Sequence, residues 1–103
     1  MFARVTTLAT TVEQHEDGVR TVLDQYLPWV RDSTGFRGIV GLYDGENAQT
    51  IVVTLWDDAE SRDASAAAAD RLSALSADVS GAKREEIRNY SVDYFELDGR
   101  KVE

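Results

Sequence analysis

Residues 35 to 56, GFRGIVGLYDGENAQTIVVTLW, decide the fold. They read as two strands joined by the polar loop Asp44-Gly45-Glu46-Asn47, in which Asp-Gly is a turn signal. Successive strand residues point to opposite sides. The alternation puts Phe36, Val40 and Leu42 on one side of the first of these strands and Ile39 and Tyr43 on the other. On the next strand Ile51, Val53 and Leu55 share one face, and Val52 and Trp56 share the opposite one with Thr50 and Thr54. Both faces of the sheet are therefore apolar. A chain of 103 residues can cover one face with its own helices and has little left for the other, so the expected assembly is a homodimer.

Upstream, residues 2 to 9 carry Phe2, Val5 and Leu8 among β-branched neighbours and predict a strand. Thr10 followed by Glu13 fits a capping box. From Val12 the residues Val19, Val22, Leu23, Tyr26, Leu27 and Val30 recur at helical spacing, with Glu13, Asp17, Arg20, Thr21 and Asp24 on the other side. Pro28 predicts a kink or break, since it cannot donate to the Asp24 carbonyl, with residues 29 to 32 as a separate turn.

Downstream, Asp57 or Asp58 caps a second helix expected to run to about Asp78 or Val79 and to stop at Ser80-Gly81. Its narrow stripe is Ala64, Ala68, Leu72, Leu75 and Val79. A last strand is expected over residues 87 to 97, followed by a polar tail. The order strand, helix, strand, strand, helix, strand is the split βαβ arrangement of a ferredoxin-like α+β domain spanning residues 1 to 103. It has a four-stranded antiparallel sheet, the first and third strands in the centre and both helices on one face.

Composition narrows the function. The formal net charge of -8 repels phosphate backbones and anionic lipid, which argues against nucleic-acid or membrane binding. With no cysteine and one histidine, disulfides, thiolate chemistry and a multi-histidine metal site within one chain are excluded. The carboxylates Asp57, Asp58, Glu60 and Asp63 read as helix-start electrostatics rather than a metal site. The opening residues have no long apolar core and no small-residue cleavage pattern, so a cytoplasmic location without signal peptide or anchor is the expectation.

Three short motifs, Gly35-Phe36-Arg37-Gly38, Tyr43-Asp44 and Leu55-Trp56-Asp57-Asp58-Ala59-Glu60, make the chain resemble the dimeric α/β-barrel superfamily, and within it the antibiotic-biosynthesis-monooxygenase-like branch. The resemblance implies homodimers whose paired sheets form a barrel, with a pocket between sheet and helices in each subunit. Some members oxygenate phenolic or quinol substrates without metal or flavin, some degrade haem, and many have no assigned activity. The haem-degrading kind uses an Asn on the first strand and a Trp and a His on the second helix. Here the first strand has Thr6 and Thr7, and the expected second helix has neither aromatic residue nor histidine, so haem chemistry is disfavoured and no cofactor is expected.

His15 is the one side chain whose unperturbed pKa lies near neutrality, which makes it the candidate acid or base. It aligns with Val22, Tyr26 and Trp29 at steps of 7, 11 and 14, and such a rim of imidazole, phenol and indole suits a flat aromatic ligand. Gly18, costly inside a helix, marks close approach by a ligand or another backbone. Arg4 shares a face with Phe2 and Thr6 and is the candidate for orienting an oxyanion; Tyr90, beside Arg88 and Tyr94, is a second tyrosine able to meet a substrate. Trp29 and Trp56 read as core or interface anchors or as pocket walls. The leading expectation is a cofactor-independent monooxygenase acting on an aromatic or quinol-like molecule, with His15 and Arg4 catalytic and Tyr26, Trp29, Trp56 and Tyr90 holding the substrate. The alternative is a non-catalytic ligand-binding or protein-interaction dimer. An open cavity with His15 pointing inward selects the first; a filled interior selects the second.

Overall fold

The computed structural model describes residues 1–65, 70 and 83–97. Strands β1 (Phe2–Ala9), β2 (Phe36–Asp44), β3 (Gln49–Trp56) and β4 (Lys83–Ser91) form one antiparallel sheet in the order β2-β3-β1-β4. The central places of β1 and β3 are those expected of the ferredoxin-like βαββαβ order. Register explains the two faces. Phe2 pairs with Trp56, Arg4 with Thr54, Thr6 with Val52 and Leu8 with Thr50, and of these Arg4, Thr6, Leu8, Val52, Thr54 and Trp56 are buried. The intervening residues face the other way. Ala3 and Leu55 are buried there at one end, whereas Val40, Leu42 and Tyr90 are 38%, 48% and 45% exposed.

One strand residue changes sides relative to simple alternation. A bulge between Phe36 and Gly38 puts both Phe36 and Trp56, and then Ile39 and Thr54, opposite one another, so Phe36 joins Ile39 and Tyr43 on the helix side. An extra residue in one strand of a pair re-aims everything before it. Phe36 consequently packs edge-on against Trp56, ring centroids 5.5 Å apart.

The first helix starts one residue later than the Thr10 and Glu13 pattern predicts. Thr11 is the N-cap, its side chain accepting from Gln14 N while the Gln14 side chain accepts from Thr11 N, a complete capping box. Thr10 is held to the sheet instead: its N–H donates to the Ala48 carbonyl at 2.8 Å and its hydroxyl meets that of Thr50 at 2.7 Å. Helix α1 covers Val12–Thr21, a π-helical turn covers Val22–Tyr26, and α2 covers Leu27–Val30. Pro28 therefore does not break the helix. Proline in regular α-helix collides with the carbonyl four residues back, and a π turn is a local widening that accommodates one extra residue. Leu27 N donates to Val22 O across it.

Helix α3, described as Ala59–Ala64, is capped by Asp58, whose carboxylate accepts from Ser61 N at 2.7 Å. The rest of the expected second helix, with Ala68, Leu72, Leu75, Val79 and the Ser80-Gly81 stop, lies outside the described residues, as does the tail from residue 98. Strand β4 ends at Ser91 rather than near Leu97: Ser91 pairs with Phe2, the first residue of β1, and beyond that pair Val92 N donates to the Met1 carbonyl at 2.9 Å. Tyr26, Val30, Val52 and Trp56 form the core, with Val22, Leu27, Phe36 and Ile39 packed against it.

The entry to β2 depends on Gly35. Its φ is +78°, and a Cβ there would lie 2.6 Å from Ser61 Cβ, while its carbonyl accepts from Asp57 N at 2.8 Å. Gly35→Ala combines left-handed backbone with a collision between β2 and α3, and is expected to destabilise the fold by roughly 2 to 3 kcal/mol, read from the urea midpoint.

Candidate functional site

The space between the first helix and the sheet is filled at one end and open at the other. Toward the open end lies a pocket of about 460 Å³, within the range of about 300–1,000 Å³ typical of small-molecule sites. The sheet contributes Leu8, Ile39, Gly41, Thr50 and Val52, and the helix contributes His15, Gly18, Val19, Val22, Leu23 and Leu27. Val19 and Leu23 are 41% and 56% exposed although they lie on the sheet side of the helix, because what they face is the pocket.

The polar groups gather at one end, where Thr10, Gln14, His15 and Thr50 meet. His15 Nδ1 is 2.9 Å from Thr50 Oγ1, which is 2.7 Å from Thr10 Oγ1. The imidazole also stacks on Tyr43, centroids 4.3 Å apart and planes 24° apart. Packing on one side and a hydrogen bond at Nδ1 fix the ring, and no described residue pairs with Nε2. In the tautomer in which Nδ1 donates to Thr50, Nε2 carries the lone pair and is available to a ligand proton. Among the described residues no Lys, Arg, Asp or Glu lines this pocket.

The structure does not bring the other sequence candidates to His15. Tyr26 is 1% exposed in the core, and Trp29, 41% exposed, lines a second cleft with Trp56. The π turn is the reason. It holds back every later residue by about one position, roughly 100° of helix rotation, so Leu27 takes the place over Val22 that an unbroken α-helix gives to Tyr26. Tyr90 lies on the uncovered face of β4, 45% exposed. Of the residues around His15 that sequence reasoning did not single out for the site, Tyr43 and Thr50 carried a parity signal, lying on the helix side with Ile39 and Val52, Thr10 was legible only as a cap, and Gln14 had no signal.

Arg4 is in the filled end. It is 7% exposed, its Nη2 donates to the Arg62 carbonyl at 2.9 Å, and its Nε has no hydrogen-bond partner. Burial pulls the guanidinium below its ordinary pKa, with the charge of Asp63 opposing. Trp56 is anchored beside it by Nε1 donating to Thr54 Oγ1 at 3.0 Å. Burial also pushes the Tyr26 phenol up to about 12, with Arg4 acting weakly in the other direction. The second cleft, about 610 Å³, is walled by Trp29, Ser33, Asp58, Glu60 and Ser61. Its hydroxyls and carboxylates leave it open to water and poorly suited to an apolar ligand.

The sequence matches no family model and no curated protein. Solved structures do match over nearly the whole chain. The haem degrader MhuD of Mycobacterium tuberculosis, with two haems in its active site, is 15% identical, with 94% of this chain and 100% of that one covered and a TM-score of 0.68. A monooxygenase from the gene ActVA-Orf6 of Streptomyces coelicolor, in complex with nanaomycin D, is 16% identical over 95% and 92%, TM-score 0.65. A variant of SnoaB, a cofactor-independent oxygenase of Streptomyces nogalater, is 14% identical over 91% and 94%, TM-score 0.62. The chain thus has the fold that these oxygenases and the haem degrader share, the fold that the resemblance carried by the motifs between Gly35 and Glu60 implies.

The buried phenol makes stability depend on alkaline pH. An acid whose folded pKa lies above its unfolded value, here about 12 against 10.0, keeps its proton longer in the folded chain. Its contribution is whole below about pH 10 and is lost as pH rises toward 12, a loss of about 2 to 3 kcal/mol. Ultraviolet titration is expected to show a late phenol step that Tyr26→Phe removes, and Tyr26→Phe is expected to flatten the fall of the urea midpoint above pH 10.

Proposed function

We propose that this chain forms a homodimer whose pocket takes up a neutral aromatic or quinol-like molecule and oxygenates it with dioxygen and no bound cofactor. One observation carries the reading: a pocket whose described walls are apolar and uncharged, with His15, the only titratable side chain among them, fixed at the polar end by Thr50 and Tyr43. A hydroxyl seated at that end would give its proton to Nε2, leaving an electron-rich ring in a low-dielectric enclosure, the form in which such rings react with oxygen. Arg4 belongs to the filled end of the gap, so in this reading it and Trp56 shape the protein rather than touch the substrate, and the pocket selects against anions. Haem does not suit it, since two propionates would enter a pocket with no cation among its described walls, in a chain of net charge -8. That solved structures with this fold include a monooxygenase and a cofactor-independent oxygenase supports the reaction class. A single titratable wall residue also fits ligand binding without turnover.

The test is a panel of phenols and quinols, with binding and oxygen uptake measured separately. Oxygen consumption that falls by about 10²-fold or more in His15→Ala, with binding kept within a few-fold, is the expected result; binding without oxygen uptake selects the non-catalytic reading, and neither overturns both.

The dimer rests on the uncovered sheet face, where Val40 and Leu42 stay exposed beside half-buried Ile51 and Val53. Sedimentation equilibrium is expected to give twice the chain mass, and Leu42→Lys, which places a charge among the exposed apolar residues of that face, to give a folded monomer. A wild-type monomer at micromolar concentration overturns the assembly.

A further inference from the structure

Two glycines lie on opposite walls of the His15 pocket, Gly18 on α1 and Gly41 on β2. Neither is required by the backbone, because neither has a positive φ; the only glycine among the described residues that does is Gly35. Neither is required by packing, because a Cβ built at either position meets no atom of the described residues within 4 Å. Gly18 costs the helix about 0.8 to 1 kcal/mol relative to alanine, and Gly41 weakens a strand whose neighbours on the same face are Ile39 and Tyr43. What both positions share is the pocket. The remaining wall residues at its middle, Val19, Val22, Ile39 and Val52, are all branched and apolar, so these two positions are where side-chain volume is missing.

We propose that Gly18 and Gly41 set the width of the pocket and so determine specificity, admitting the body of a neutral fused-ring molecule that a side chain at either place would exclude. This rests on the pocket reading above and deepens it. The ligand is an uncharged polycycle with one hydrogen-bonding group. Its rings lie between the helix wall and the sheet wall, and its polar end reaches His15, Thr50 and Gln14.

The test uses Gly18→Leu and Gly41→Val, each chosen to suit its own element so that folding is kept. The probes are 1-aminoanthracene, three fused rings with one amine, followed by its fluorescence, and p-cresol, a single ring, followed by its own NMR line broadening. Both variants are expected to unfold at or above the wild-type urea midpoint. They are expected to bind 1-aminoanthracene more weakly by roughly tenfold or more, the scale of a wrongly filled apolar pocket, while p-cresol binding changes less than about threefold. Wild-type protein that binds both probes, with variants that bind them equally well, overturns the width proposal and leaves the pocket reading standing. Wild-type protein that binds neither probe overturns both. Loss of both probes to the same degree in a folded variant also overturns the width proposal, because width discriminates by ligand size.

Discussion

The absent N–H of a single proline governs how the first helix meets the sheet. At Pro28 the helix can neither complete its regular bond nor clear the carbonyl one turn back, and the turn before it widens into a π turn, closed by Leu27 N and Val22 O. The helix continues, but its later residues are rotated with respect to its earlier ones. Tyr26 and Val30 enter the core with Trp56, and Leu27 is left to line the pocket. One covalent constraint thus decides which aromatic residues serve stability and which side chains a ligand would meet.

The gap between helix and sheet consequently has two characters. At one end Trp56, Tyr26 and Val30 are buried in it with Phe36 packed edge-on against Trp56. At the other, glycines on both walls and small hydroxyls at the end leave it empty. Apolar walls make the empty part suitable for an apolar body, and the chain of hydroxyls from Thr10 through Thr50 to His15 supplies orientation without charge. Arg4, the buried cation on the same sheet face, lies where the gap is filled and is tied to the start of α3 through the Arg62 carbonyl, while the Arg62 guanidinium packs 5.3 Å from the centre of the Phe2 ring. Arg4 thus links the sheet to α3, away from the described walls of the pocket.

The sheet divides labour in the same way. Its helix side holds the core and the pocket; its other side ends in exposed Val40, Leu42 and Tyr90. The bulge at Phe36 and Gly38 moves one large aromatic from the second side to the first, which enlarges the filled core and leaves a flatter apolar surface behind. A surface of short branched side chains on paired strands is suited to meeting another sheet.

Period-2 alternation in residues 35 to 56, helical spacing after Val12 and the acidic start at Asp58 determined the ferredoxin-like order, the central strands and the two-faced sheet, because these are local properties that neighbouring residues enforce on each other. His15 and Gly18 were legible as pocket candidates for the same reason: both lie on regular helix before the π turn, where angular bookkeeping holds. The tertiary structure alone decided the places of Tyr26, Trp29 and Phe36. A widened turn and a bulge each shift phase by one residue, and a phase shift leaves no mark in the spacing of the residues it moves. The partnership of Thr10, Thr50 and His15 spans 40 residues of sequence, and only the pairing of β1 with β3 brings it together.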